Sequence, residues 1–140
     1  SGRFESRWVQ VEVLPSPSVL LAGMEGTKLG VWVAHGEGLL VYPDQSVAQE
    51  VSERKLSPLA FIDPCGDRTE VYPYNPNGSP LGITALCSLD GRHLAMMPHP
   101  ERCFRLWQWP WKPSSWKCLE ASPWLRMFQN ARTWCLEHRV

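Results

Sequence analysis

The sequence has 140 residues, which is enough for one modest hydrophobic core and too few for two comfortable domains. Hydrophobic residues make up 44% of the chain and charged residues 20%, which is usual for a globular protein. The 14 basic and 14 acidic residues balance and form no basic stripe, so the composition indicates neither a nucleic-acid nor a membrane partner. The longest apolar runs, SVLLAGM and LAMM, are far too short to span a membrane.

The predicted elements of the first half are mostly strands. Residues 7–14, RWVQVEVL, place three valines on one face, which is typical of a half-buried strand. Four further apolar runs predict strands, the first two of them covered on both faces: residues 18–23, 29–34, 39–43 and 59–63. Asp44 is a suitable N-cap for a helix that ends near Leu56.

The second half begins with turns. Residues 72–82, YPYNPNGSPLG, predict turns throughout, with a tight one at Asn77-Gly78. ITALCSLDG and RHLAMM then predict a hairpin around Asp90-Gly91. A helix is predicted from Ser122, with Pro123 in its first turn. The residues expected on its buried face are Trp124, Leu125, Phe128, Ala131 and Leu136. Together these elements predict an α/β layer that lacks its first half.

The cysteines and the start of the chain bear on its origin. Cys65, Cys87, Cys103, Cys118 and Cys135 are scattered and form no Cys-x-x-Cys pair, which predicts reduced thiols in an intracellular protein. The opening SGRFESRW has neither an initiator methionine nor the apolar core of a secretory signal, and we expect a fragment of a longer protein.

The stretch LAMMPHPER at residues 94–102 carries the strongest chemical signal. Met97 and His99 each precede a proline, which favours extended backbone. In an extended chain His99 and Glu101 point to the same side, about 6–7 Å apart, which puts the carboxylate within reach of an imidazole nitrogen directly or after a slight turn. A carboxylate bonded to one imidazole nitrogen fixes the tautomer and leaves the other nitrogen as a proton acceptor, as in the base and orienting acid of a nucleophilic enzyme. The alternative is a surface loop with a chance His–Glu pair.

Three longer motifs resemble the glutamine amidotransferase domain of the phosphoribosylformylglycinamidine synthases: AHGEG (34–38), YPYNPNGSPLGITAL (72–86) and MMPHPER (96–102). The resemblance implies an α/β fold of the class I glutamine amidotransferase type, a flavodoxin-like open sheet with helices. Residues 1–140 would be its C-terminal portion. It also implies that a cysteine thiolate attacks the side-chain amide of L-glutamine, while His99 shuttles protons and Glu101 orients it. A non-catalytic scaffold with the same fold is the alternative.

The resemblance implies further roles. His35, Gly36, Glu37 and Gly38 would hold the α-amino and α-carboxylate ends of glutamine; the alternative is a strand-ending turn with a structural histidine. The released ammonia would reach a synthetase portion of the same polypeptide, a cytoplasmic, ATP-using ligase that converts formylglycinamide ribonucleotide to the amidine. ATP and Mg²⁺ would bind that portion, with no cofactor or metal in this chain. The NPNGSP tip would face it.

The nucleophile of such an enzyme sits on a strand-to-helix elbow rich in small residues. None of the five cysteines has that context, so we expect the thiol on sequence preceding this chain, and no turnover by the chain alone. Cys103, two residues beyond Glu101, is the one alternative nucleophile.

Two rival readings concern other ligands. HGE at 35–37 and Pro64-Cys65 match the opening of a zinc deaminase signature, but Arg68 stands where the second cysteine is required. Five of the eight tryptophans lie between residues 107 and 124, where they could stack on nucleobases or pack over the sheet. The low content of nearby lysines favours packing.

Overall fold

The computed structural model describes residues 2–138 and contains a three-stranded sheet, a two-stranded hairpin and two α-helices. The elements in chain order are β1 (Glu5–Val13), β2 (Lys28–His35), α1 (Gln45–Glu53), β3 (Leu59–Ile62), β4 (Ala85–Cys87), β5 (Leu94–Met96) and α2 (Leu125–Glu137). Strand β1 is central and pairs antiparallel with β2 on one side and β3 on the other. Strands β4 and β5 form the predicted hairpin.

The core lies on one face of the sheet. Val9, Val11 and Val13 alternate along β1 as predicted and are buried, because every second side chain of a strand points to the same face. Trp124, which is fully buried, donates its indole N–H to the Gly30 carbonyl at 2.8 Å. The start of α2 is thereby fastened to the middle of β2.

Several sequence predictions are confirmed. The runs 29–34 and 59–63 are strands β2 and β3. Asp44 caps α1, since its carboxylate accepts hydrogen bonds from the amides of Ser46 at 2.8 Å and Val47 at 3.1 Å. The helix ends at Glu53, a little earlier than predicted.

Two predicted strands are wrong. Within 18–23, Val19–Leu21 form one turn of 3-10 helix, and the side-chain amide of Asn130 in α2 takes the carbonyls of Leu20 and Ala22 that a strand would have offered to a neighbour. Residues 39–43 form no strand either. The amide of Leu40 in that segment bonds instead to the Ser79 hydroxyl at 3.0 Å. In both places a side chain distant in sequence forms the hydrogen bonds that a neighbouring strand would otherwise form with the backbone.

The last helix differs from its prediction in start and in facing. It begins at Leu125, and Ser122 precedes it in a turn. Met127 is its buried residue, whereas Phe128 and Leu136 are each 41% exposed. Trp124, just before the helix, is buried as predicted and Leu125 and Ala131 are half-buried, so Phe128 and Leu136 are the residues that depart from the predicted inward face. Among residues 2–138, no helix is long and apolar enough to cross a membrane.

Candidate active site

His99 and Glu101 are brought into contact by a turn. The chain leaving β5 runs beside the end of β2, where Pro98 bridges to Val33 and the His99 amide donates to the Trp32 carbonyl at 2.8 Å. The extended course predicted for the whole stretch ends there, because Pro100–Arg102 form one turn of 3-10 helix. This turn places Glu101 Oε1 2.7 Å from His99 Nδ1. The expected contact exists, with a turn rather than an extended chain producing it.

The geometry of this pair suits proton transfer. An ionised carboxylate can only accept, so a neutral His99 donates from Nδ1 and keeps Nε2 as its free acceptor nitrogen. The side chains of His99 and Glu101 are 29% and 55% exposed, which leaves the pair accessible to a ligand. Arg102 lies 3.7 Å from the same carboxylate oxygen and is its positively charged neighbour.

The glycine-containing loop after β2 covers the ring of His35, another of the predicted site residues. The His35 ring lies directly beneath Gly38, where a Cβ atom would come within 2.4 Å of His35 Cδ2. Both ring nitrogens are sealed from solvent and have no hydrogen-bond partner among the described residues. Burial lowers the pKa of His35; the Glu5 carboxylate opposes this effect and the nearby His99 adds to it. The loop and the His–Glu turn are thus electrostatic neighbours.

A network that the sequence analysis missed holds this loop in place. The side-chain Nδ2 of Asn77 donates to the Gly38 carbonyl at 2.6 Å, and Asn77 Oδ1 accepts from the backbone amide of Ser79 at 3.1 Å. The Ser79 hydroxyl in turn accepts from the Leu40 amide at 3.0 Å. The NPNGSP segment therefore clamps the glycine loop through these side-chain hydrogen bonds. The asparagine and serine within it were the available signal.

A cavity of about 210 Å³ opens beside the loop. Its charged and polar lining comprises Arg3, Glu5, His35, Glu37 and Asn77. Glu5 was not singled out from the sequence, yet it is only 7% exposed and forms an ion pair with Arg7. Arg7 also donates to the Tyr72 hydroxyl at 2.6 Å, which ties β1 to the start of the turn-rich segment.

The cysteines do not supply a nucleophile to this arrangement. Cys103 is fully buried, and burial raises the pKa of its thiol to about 12. Cys87 is buried in β4, where burial likewise raises its pKa. Cys65, Cys118 and Cys135 are exposed free thiols, and no cysteine within residues 2–138 lies in a tight turn that joins a strand directly to an α-helix.

The structure also gives no support to the zinc deaminase hypothesis within residues 2–138. Arg68, in place of the required cysteine, forms an ion pair with Glu12 at 3.6 Å. In the part of the chain that the structure describes, no group of three or more histidine, cysteine, aspartate or glutamate side chains could hold a metal ion.

Residues 1–135 match the family of CobB/CobQ-like glutamine amidotransferase domains. The chain belongs to this family. This amidotransferase chain is 60% identical over 136 residues, 96% of its length, to the probable phosphoribosylformylglycinamidine synthase, chloroplastic/mitochondrial, of Arabidopsis thaliana. It is 53% identical over 137 residues, 98% of its length, to phosphoribosylformylglycinamidine synthase of Homo sapiens. It spans only 10% of the length of each of these relatives.

The fold has a solved counterpart. The amidotransferase chain is similar to a chain in the structure of PurLQS from Thermotoga maritima, with a TM-score of 0.64 and 21% identity. The match covers 95% of this chain and 49% of that one. The predicted family and the α/β class are therefore confirmed. The cytoplasmic location stays a prediction, since the Arabidopsis relative is named for organelles.

Proposed function

We propose that this chain carries the acid–base half of a glutaminase site. The observation that carries the proposal is the 2.7 Å contact between His99 Nδ1 and Glu101 Oε1, which leaves His99 Nε2 as an acceptor on an accessible surface. The family match supports glutamine as the substrate.

The chemistry follows from that geometry. His99 Nε2 accepts the proton of a cysteine thiol as the sulfur bonds to the amide carbon of glutamine. The resulting imidazolium, stabilised by Glu101, then gives its proton to the departing nitrogen, and ammonia leaves behind a thioester. Water attacks the thioester with His99 as base, and glutamate and the thiol are released. Both halves of the cycle use one histidine in alternating protonation states.

We place the nucleophilic cysteine outside these residues. The support is the environment of the thiols rather than the position of the chain ends. Burial raises the pKa of the Cys103 thiol to about 12, so this thiol stays protonated near neutral pH and is a poor nucleophile. The exposed cysteines lack the backbone elbow that would aim a sulfur at a substrate.

We assign the loop His35, Gly36, Glu37 and Gly38 to the α-amino and α-carboxylate ends of glutamine. The adjoining cavity supports this assignment because its lining includes both signs of charge, as a zwitterion requires. The sealed His35 ring supports the loop from within and does not face the cavity as a free donor, so Gly36 and Glu37 are the contact residues we favour.

For the longer protein, we propose a phosphoribosylformylglycinamidine synthase in purine biosynthesis, whose synthetase portion receives the ammonia. The names of the relatives support this reaction. We place ATP and Mg²⁺ on that synthetase portion as well.

Glutamine hydrolysis by the intact protein tests the proposal. We expect His99→Ala to lower kcat for glutamate release by at least about a hundredfold, because a positioned base contributes that much. His93→Ala is the matched control, since His93 is exposed on the hairpin turn and should leave kcat unchanged. An intact protein that releases no glutamate, or equal rates for both variants, would favour the scaffold alternative.

A further inference from the structure

The carbonyl group that follows the His–Glu turn accepts hydrogen bonds from two side chains, six and 19 residues further along the chain. Cys103 O accepts from the Ser122 hydroxyl at 2.6 Å and from the Trp109 indole at 2.7 Å. Cys103 and Ser122 are both buried, so neither hydrogen bond to this carbonyl has water as a ready substitute.

Cys103, the residue that bears this carbonyl, also closes the turn that carries Glu101. The Cys103 amide donates to the Pro100 carbonyl at 3.0 Å, and the Arg102 amide donates to the His99 carbonyl at 3.0 Å. The Glu101 side chain is 55% exposed, so little packing fixes it. Its 2.7 Å contact with His99 therefore depends on where the backbone of the turn lies.

The two donors are themselves anchored to the sheet. The Ser122 amide donates to the Phe104 carbonyl at 2.8 Å, and its hydroxyl accepts from the Trp124 amide at 3.2 Å. Trp124 is bonded to Gly30 of β2, as described above. The Trp109 ring packs against Trp8 of β1 with 5.0 Å between ring centroids.

Strand β2 thus reaches both ends of the turn. It holds the His99 amide directly through the Trp32 carbonyl at 2.8 Å. It holds the far end through Trp124, Ser122 and the carbonyl that follows the turn. A rigid frame of this kind is what keeps a catalytic pair within a productive distance.

We propose that Ser122 and Trp109 are positioning residues of the glutaminase site. By holding the Cys103 carbonyl they fix the turn that sets Glu101 against His99. This inference rests on the proposed function, because it concerns the same His–Glu pair.

The test is the kinetics of glutamine hydrolysis by the intact protein. Ser122→Ala removes one donor and is expected to lower kcat by about tenfold or more, with KM for glutamine within about twofold. Ser122→Thr keeps a hydroxyl and should restore most of the rate. Trp109→Phe keeps an aromatic ring without the indole N–H and should resemble Ser122→Ala. Trp116→Phe is its control, since the Trp116 ring packs on Trp109 with 5.4 Å between centroids, whereas the donors to the Cys103 carbonyl are Trp109 and Ser122.

A double-variant comparison separates positioning from general stability. If Ser122 acts through Glu101, Ser122→Ala should have no further effect on kcat in a Glu101→Ala background. A full multiplicative loss in that background, or an unchanged kcat for Ser122→Ala and Trp109→Phe in an active protein, would overturn the positioning role alone. A wild-type protein without glutaminase activity would overturn the proposed function and this inference with it. Thermal midpoints of each variant identify any loss that comes from unfolding.

Discussion

At the scale of single residues, the candidate site contains two imidazoles in opposite surroundings. His99 has a carboxylate partner and an accessible second nitrogen. His35 has both nitrogens sealed away without a partner in the described residues. The first environment leaves one ring nitrogen available to a ligand, whereas burial in the second favours the neutral imidazole. The sequence motifs alone do not distinguish these two environments.

The sealed environment of His35 makes stability depend on pH. Burial lowers the pKa of the folded His35 below its ordinary value of 6.5, with Glu5 opposing and His99 adding to the effect. Between pH 6.5 and the folded pKa the unfolded chain binds more protons, so the free energy of unfolding should fall as the pH drops through this window. Below the folded pKa this contribution becomes constant.

Urea unfolding at a series of pH values from 7.5 to 5 checks this expectation. His35→Gln should show a shallower loss of stability over that window than the wild type. His93→Gln, at an exposed histidine, should keep the wild-type slope. Identical slopes for His35→Gln and wild type would contradict the inferred burial of a neutral imidazole.

At the scale of elements, β2 depends on a glycine at its centre. The Trp8 ring covers Gly30, and an added Cβ would lie 2.2 Å from Trp8 Cζ2. Gly30→Ala should therefore destabilise the protein by about 1–3 kcal/mol through overpacking, measured by urea unfolding. Gly36→Ala is the control, because the nearest atom to its Cβ is 3.7 Å away. Equal stability of the two variants would mean that Trp8 moves aside freely.

The clamp between two loops should affect substrate binding. Asn77→Ala frees the Gly38 carbonyl from its 2.6 Å hydrogen bond and loosens the proposed glutamine loop. We expect KM for glutamine to rise about threefold to tenfold with little change in kcat, since a hydrogen bond contributes about 1 kcal/mol. Asn130→Ala, which removes bonds to Leu20 and Ala22 instead, should leave KM unchanged. A change confined to kcat would contradict the clamp.

The sequence predicted correctly those elements that are determined by residues adjacent in the chain. The valine alternation of β1 and the Asp44 cap are properties of adjacent residues, and both predictions are confirmed. The runs 18–23 and 39–43 are as apolar as true strands, but Asn130 and Ser79 engage their backbones from far along the chain. Such partners leave no local trace, so these two predictions failed.

At the scale of the whole molecule, the candidate site combines contacts between sequence neighbours, which were predictable, with contacts between residues far apart in the sequence, which were not. The His99–Glu101 contact was predictable because the two residues are neighbours in a proline-stiffened segment. The bond from Asn77 to Gly38 crosses 39 residues, and that from Arg7 to Tyr72 crosses 65. Three motifs were enough to identify the family. The hydrogen bonds that position those motifs could be found only from the three-dimensional structure.

The proposed site consists of the His99–Glu101 pair and the proposed glutamine loop, and no cysteine within residues 2–138 has the surroundings of a nucleophile. A diazoketone analogue of glutamine identifies the nucleophilic thiol directly, because the attacking thiolate forms a thioether and nitrogen gas leaves. Peptide mass spectrometry of the labelled intact protein then locates the modified cysteine. We predict one labelled cysteine outside residues 1–140, with labelling slowed by His99→Ala and prevented by excess glutamine. Labelling of Cys103, or of any other cysteine in this chain, would contradict the account.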